Sequence, residues 1–143
     1  MTDEVPPYSG FLGTWVLDPR SCQYQQGEPP QAGSYRISEV GDELRFQMQW
    51  VDADGEKHQV EFSGAPDGVR YPFKGGELAD ALAVTAVSER ELSTSAFYQG
   101  REVMTAQRQL DDTGRAMRIT QIVRFLDGTR LANVAIYIKR ESN

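Results

Sequence analysis

The sequence predicts an all-β fold, namely a single antiparallel up-and-down β-barrel of about ten strands. From residue 33 onward, apolar and polar residues alternate with a period of two, the spacing of a strand with one buried face. Dipeptides such as Asp-Gly and Gly-Gly recur between these runs, as hairpin turns require. A long meander must close or split to remove its edges. A barrel is the simplest closure, and a two-sheet sandwich is the alternative.

The runs can be placed individually along the chain. Leu44, Phe46, Met48 and Trp50, for example, alternate with arginine and glutamine. The only helix candidate is about one turn around Glu77 to Leu82, whose second half we read as strand. The expected strands cover roughly 12–18, 33–40, 43–52, 57–64, 68–74, 81–88, 91–99, 102–110, 115–126 and 131–140.

One segment interrupts this pattern. Asp18 to Ala32 contains three prolines and several glutamines. Proline cannot donate to a ladder in the interior of a sheet. We therefore expect a long surface loop between the first two strands, and loops of this length often act as lids over a binding site.

Length and composition indicate one soluble domain. A chain of 143 residues, 39% hydrophobic and 25% charged, can bury a sound core. We expect residues 1–9 to be a flexible N-terminal segment and residues 10–141 to form the barrel. No apolar run reaches the ~18 residues of a membrane span. The N-terminus has no basic start followed by an apolar stretch, so we expect a cytoplasmic protein.

Charge and residue counts exclude several classes of function. The net charge of -6 argues against a nucleic-acid partner, which would need a basic surface. Cys22 is the only cysteine, and we expect it in the polar loop, so no internal disulfide can form. His58 is the only histidine and cannot build a zinc site or serve a serine triad unaided. We expect no metal, no cofactor and either a monomer or a homodimer.

The two ends of the chain carry a family resemblance. The opening Phe11-Leu12-Gly13-Thr14-Trp15 resembles the first strand of fatty-acid-binding proteins. Tyr137, two residues before Lys139-Arg140, is similar to the end of that family. The turn Asp52-Ala53-Asp54-Gly55 resembles bacterial lipocalin-like proteins of the same calycin superfamily even more closely. The resemblance implies a ligand-holding barrel with Trp15 plugging one end and Arg140 stacked on its ring as a cation–π pair.

The chain also departs from the fatty-acid-binding pattern. That family binds a carboxylate with two arginines and a tyrosine, of which Arg108 matches the first arginine and Tyr137 the tyrosine. Ala135 stands where the second arginine is expected. The proline-rich loop cannot form the family's helical lid. A fatty-acid carboxylate would therefore lose one cationic anchor, and a bidentate clamp is much stronger than a single donor.

These observations lead to one expected function and two alternatives. We expect the barrel to bind a small hydrophobic ligand, with Arg108 pointing inward; an outward Arg108 on a solvated strand is the competing interpretation. A small barrel enzyme, an isomerase or cyclase of hydrophobic substrates, is one alternative, although the sequence selects no catalytic residue. A non-catalytic interaction domain with a filled barrel is the other. The expected anchors are Arg108, Tyr137 and Gln121, and the expected lining is Phe46, Met48, Trp50, Phe62 and Met117.

Overall fold

A ten-stranded antiparallel sheet, curled into a nearly closed barrel, forms the fold. The computed structural model describes residues 6–25, 27–73 and 79–140. The strand order is β4-β3-β2-β1-β10-β9-β8-β7-β6-β5, so pairing of β1 with β10 joins the two halves of the meander. The predicted fold class is confirmed. The strands are β1 (Gly13–Tyr24), β2 (Ala32–Val40), β3 (Glu43–Val51), β4 (Lys57–Gly64), β5 (Tyr71–Pro72), β6 (Ala81–Ser88), β7 (Glu91–Tyr98), β8 (Arg101–Leu110), β9 (Ala116–Arg124) and β10 (Arg130–Lys139).

Outside the strands, one 3-10 turn, Ser9–Phe11, precedes β1. Of the N-terminal segment expected to be flexible, residues 1–5 lie outside the described ranges, while Tyr8 donates a hydrogen bond to Glu39. Among the described residues, no helix has the length and apolar character to cross a membrane.

The first strand is much longer than predicted. Its pairing with β10 passes from Asp18 opposite Ile136 to Gln23 opposite Val134, so residues 19–22 bulge out against a single position of β10. A bulge needs no regular ladder bonds, which explains why a proline is tolerated within this strand. The expectation of a loop from Asp18 onward is therefore wrong, and the connection to β2 is only residues 25–31.

The bulge is held by a side chain in place of ladder bonds. The Ser21 hydroxyl accepts from the Ile136 amide at 2.8 Å and donates to the Asp18 carbonyl at 2.6 Å. Cys22 lies in this part of β1, half-buried, and not in a polar loop as expected. Burial raises the pKa of the Cys22 thiol, which keeps it protonated and a weak nucleophile.

The fifth strand is shorter than predicted. Only Tyr71–Pro72 pairs with β6. Before it, the Asp67 carboxylate accepts from the Val69 amide at 2.9 Å and from the Tyr71 hydroxyl, which folds these residues into a turn. The end of the predicted strand at residue 74 and the start of the predicted helical turn, residues 77–78, lie outside the described residues. Ala81 and Leu82 are strand, as predicted.

The barrel closes at one end of the seam between β4 and β6. The Gly68 amide donates to the Val84 carbonyl at 2.8 Å, and Asp67 forms an isolated bridge with Thr85. Gly64, the last residue of β4, is buried here. A Cβ at this position would lie 2.9 Å from Cγ2 of Val84, so only glycine lets the two strands approach this closely.

Trp15 lies in the interior at this end of the barrel, which we call the plugged end, and the cation over its ring is Lys139, not the Arg140 expected from the resemblance. The indole is fully buried and donates from Nε1 to the Phe11 carbonyl at 2.9 Å. Trp15 pairs directly with Lys139, so both point to the same face, and Lys139 Nζ lies 5.4 Å from the ring centroid. Arg140, one residue later, is exposed.

The close packing of Gly64 against Val84 at the seam can be tested by substitution. Gly64→Ala should lower the free energy of unfolding by about 1–3 kcal/mol, because overpacking a buried contact costs that much. Thermal unfolding by circular dichroism measures it. In the Gly64→Ala/Val84→Ala double variant the clash disappears. The stability loss of the double variant should therefore be well below the sum of the losses measured for Gly64→Ala and Val84→Ala alone. Strictly additive losses would contradict the seam.

The contact of the Lys139 ammonium group with the Trp15 ring can be tested in the same way. Lys139→Gln should lower the free energy of unfolding by about 0.5–2 kcal/mol through loss of the cation–π contact. Arg140→Gln is the matched control and should change stability little. Chemical denaturation of both variants measures the difference. A larger loss for Arg140→Gln would show that the plug is held otherwise.

Candidate functional site

Cross-strand register places the predicted site residues on one face of the sheet. Residues directly opposite each other point to the same side. Phe46 lies opposite Phe62, Tyr137 opposite Met117, and the same alternation runs through β8. This face also carries the buried Trp15, so it is the inner face of the barrel. It includes all eight residues of the prediction: Arg108, Tyr137, Gln121, Phe46, Met48, Trp50, Phe62 and Met117.

Burial of the inward residues of β3 and β4 falls from the plugged end of the barrel to the other end. In β3, the inward side chains change from buried (Leu44 and Phe46) to half-buried (Met48 and Trp50). In β4, Phe62 is half-buried, and residues 57–61, which lie between it and the turn from β3, are exposed. Solvent therefore reaches the inner faces of β3 and β4 at the end where β3 turns into β4. We call this part of the barrel the open half.

Arg108 lies inside the barrel, below the open half. Its side chain is 2% exposed, so the outward interpretation is wrong. Nε donates to the Tyr35 hydroxyl at 3.1 Å, Nη2 donates to the same oxygen, and Nη1 donates to Thr94 Oγ1 at 3.1 Å. The guanidinium also stands 4.8 Å from the Phe46 ring centroid. Three strands thus fix one cation in the interior.

The charge of Arg108 has no negative partner among the described residues. The ion pairs that the described residues do form, such as Arg45 with Glu61 and Arg124 with Glu102, lie at the exposed surface. An arginine stays protonated in any protein environment. An uncompensated buried charge costs several kcal/mol, even after relaxation. The interior around Arg108 therefore favours negative charge.

The other two predicted anchors are placed differently. Tyr137 packs edge-on against Tyr35, with ring centroids 5.7 Å apart, and forms no hydrogen bond to Arg108. Burial raises the pKa of Tyr137 above its usual range, so the phenol stays neutral. Gln121 donates to Met104 Sδ at 2.9 Å, nearer the open half. The predicted trio is thus not one cluster, although all three members face inward.

Sequence reasoning missed the two residues that hold Arg108. Tyr35 is 3% exposed and Thr94 is 7% exposed. Tyr35 is two residues from Ile37, and Thr94 is two residues from Leu92. Each therefore shares the apolar face of its strand. Their approach to Arg108 depends on barrel closure, since Tyr35 belongs to β2 and Arg108 to β8. No sequence signal reports which strands face each other across the barrel.

At the rim of the open half, His58 stacks on Trp50 with centroids 5.2 Å apart. Its Nε2 lies 2.8 Å from Asp52 Oδ2, and this hydrogen bond lowers the pKa of the Asp52 carboxyl. Asp52, Glu56 and His58 are close enough to hold a cation together. Asp52 Oδ1, however, already accepts the amides of Asp54 and Glu56, as in an ordinary turn. The hydrogen bonds of this turn therefore explain why Asp52, Glu56 and His58 lie close together at the rim.

Comparison with known proteins shows the fold. No family model and no curated protein matches the sequence. The zebrafish ileal bile acid-binding protein complexed with cholic acid aligns with 12% identity over 92% of this chain and 100% of its own, with a TM-score of 0.53. The S-type phycobiliprotein lyase CPES from Guillardia theta aligns with 11% identity over 95% of this chain and 92% of its own, with a TM-score of 0.58. The chain therefore shares the barrel fold of these proteins.

The polar cluster should cost stability. Replacing Arg108, Tyr35 and Thr94 together by methionine, phenylalanine and valine should raise the free energy of unfolding by about 1–4 kcal/mol, as for other buried ionic groups replaced by apolar residues of similar volume. Arg108→Met alone should gain less, because it leaves two buried hydroxyls without their partner. Urea unfolding measures both. A triple variant less stable than the wild type would contradict the cost assigned to this charge.

Proposed function

We propose that this protein binds a small, largely apolar molecule inside the barrel, with the polar end of the ligand toward Arg108. The observation that carries the proposal is a fully buried cation with no carboxylate partner among the described residues. Such a charge lowers stability, so a role in binding would give a physical reason for its presence. Binding of an acidic or strongly polar group would compensate it.

The open half supplies the apolar part of the site. Met48, Trp50 and Phe62 are half-buried there, while Phe46 and Met117 form a buried floor. Phe46 and Trp50 are four residues apart on one strand, which spans about 13 Å. A ligand body of that length gains roughly 25 cal/mol for each Å² of apolar surface removed from water. A few polar groups then fix its orientation, with Tyr137 and Gln121 as further candidates.

The alternatives have less support. A filled interaction domain would bury its inner face throughout, whereas the inward residues of β3 and β4 become exposed toward one end. For an isomerase or cyclase, Tyr137 is the best-placed phenol. Burial raises its pKa, which suits a hydrogen-bond donor and not a general base. The bound cholic acid of the zebrafish protein further supports a small molecule as the occupant.

The finer expectations from the sequence belong to the same proposal. We place the protein among bacterial lipocalin-like carriers that act in the cytoplasm, without a nucleic-acid partner. Residues 25 and 27–31 lie between β1 and β2 on the side away from the plug, and they are the part of the expected loop that would lie over a ligand.

Native mass spectrometry with an anilinonaphthalene sulfonate dye tests the proposal. The wild type should bind one dye, or carry a small molecule that the dye displaces and that is lost on denaturation. Arg108→Gln should weaken dye binding by about tenfold or more, since a hydrogen bond to a charged group is lost. Arg118→Gln, on the outer face, is the matched control and should bind like the wild type. Equal binding by all three proteins, or none by any, would contradict a site at Arg108.

A further inference from the structure

The outer face of β10 is apolar. Tyr137 and the buried Ala135 point into the barrel, so the residues that alternate with them point outward. These outward residues are Ala132, Val134, Ile136 and Ile138. In the middle of β2 and β3, by contrast, the outward residues are polar: Ser34, Arg36, Ser38, Arg45, Gln47 and Gln49. A sheet face that meets only water normally carries polar residues, so an apolar outer face indicates a surface that a partner covers.

The apolar surface extends from β10 onto β1. Val16 lies opposite Ile138, and the two side chains are 43% and 47% exposed. We call Val16 and the four outward residues of β10 the outer patch. Its length from Ala132 to Ile138 is about 20 Å. Stable interfaces bury about 800 Å² on each partner, with an apolar centre and a polar rim. The outer patch therefore has the size of the centre of an interface, with polar neighbours as its rim.

Three rows of residues cross the outer patch from β1 through β10 to β9. The register gives these rows as Val16–Ile138–Ala116, Asp18–Ile136–Arg118 and Gln23–Val134–Thr120. Each row has an apolar residue of β10 in its middle. The middle row carries opposite charges on its two flanks, and neither Asp18 nor Arg118 belongs to an ion pair within the described part of the chain.

The two flanks of the rows complement each other if two copies of the chain pack outer face to outer face. A twofold axis parallel to β10 places β1 of each copy over β9 of the other and keeps the three rows level. Asp18 of one copy then meets Arg118 of the other, and symmetry repeats the contact. In the same way, the apolar Val16 meets Ala116. Packed sheets lie about 10 Å apart, a distance that an arginine and an aspartate side chain can bridge together.

The charges also exclude the other face-to-face orientation. A twofold axis running across the strands would place β1 over β1 and β9 over β9. Asp18 would then face a second Asp18, and Arg118 a second Arg118. Like charges placed together in an interface are unfavourable. Charge therefore favours the axis parallel to β10.

We propose that the outer faces of β1, β10 and β9 form a homodimer interface between two copies of this chain, related by a twofold axis parallel to β10. The interface lies on the outside of the barrel, so it forms whether or not a ligand binds inside. Because the axis is parallel to the strands, the open halves of the two copies lie at the same end of the dimer.

Charge reversal tests both the contact and its orientation. Asp18→Arg places arginine over arginine at both symmetric contacts, and Arg118→Asp places aspartate over aspartate. Each variant alone should dimerise at least about tenfold more weakly than the wild type. An equimolar mixture of the two variants should form a mixed dimer with about the wild-type affinity, because every contact again joins an acid and a base.

Sedimentation velocity measures dimer formation by the full-length proteins. The wild type should change from monomer to dimer between ~1 and ~500 μM, since dimer formation depends on concentration. The salt concentration should be near 0.1 M, where the Debye length is about 10 Å. Ile136→Lys, in the centre of the outer patch, should leave only monomer. Lys57→Asp reverses a charge on β4, away from the outer patch, and is the matched control that should dimerise like the wild type.

Each result supports or overturns the proposal. A wild type that stays monomeric at every concentration overturns it, and so does a dimer that persists in the Ile136→Lys and charge-reversal variants. If the single reversals dissociate and their mixture does not recover, the orientation is wrong.

Asp18 also accepts the Arg20 amide at 3.1 Å, so circular dichroism should check that Asp18→Arg folds. If it does not fold, Arg118→Asp alone still decides. The axis across the strands would only exchange one like-charge pair for another, so Arg118→Asp would then dimerise like the wild type and overturn the proposal.

Discussion

The hydrogen bonds from Arg108 to Tyr35 are the interaction that organises the interior of this barrel, at a cost in stability. They join β8 to β2 across the lumen, and with Thr94 they fix a cation that no described carboxylate neutralises. Below this layer the barrel is filled by apolar side chains around the Trp15 plug. Above it, the inward residues of β3 and β4 are half-buried or exposed. A buried cation thus lies between an apolar, filled end of the barrel and an end where the inner faces of β3 and β4 are partly exposed.

Strand register explains how so simple a sequence pattern builds this layer. Side chains alternate strictly between the two faces of each strand, so a period of two in the sequence becomes one continuous inner surface. Arg108, Tyr35 and Thr94 are each an inward position in an otherwise apolar run. The seam at Gly64 and Val84 then brings the two edges of the sheet together at the plugged end, which leaves the other end accessible to solvent.

Much of this architecture could be predicted from the sequence, for the same reason. Alternation and turn residues placed most strands and put all eight predicted site residues on the inner face. The sequence-based predictions were wrong where the conformation or orientation of a residue depends on the partner strand. Pro19 is tolerated because β1 bulges against β10, and Lys139 replaces Arg140 over Trp15 because a shift of one residue reverses the face. Tyr35 and Thr94 meet Arg108 only after the sheet has closed, and no local pattern encodes that contact.

We expect the interior beside Arg108 to stabilise an ionised head group of a bound ligand. Carbon-13 NMR of dodecanoate labelled at its carboxyl carbon, bound to the wild type, measures this directly through the pH dependence of the chemical shift. A cation and hydroxyl donors favour the charged form, so the bound carboxyl should remain ionised well below the pKa of the free acid. A bound carboxyl that titrates at or above the pKa of the free acid would show a head group in solvent or in an apolar pocket, and would contradict the account.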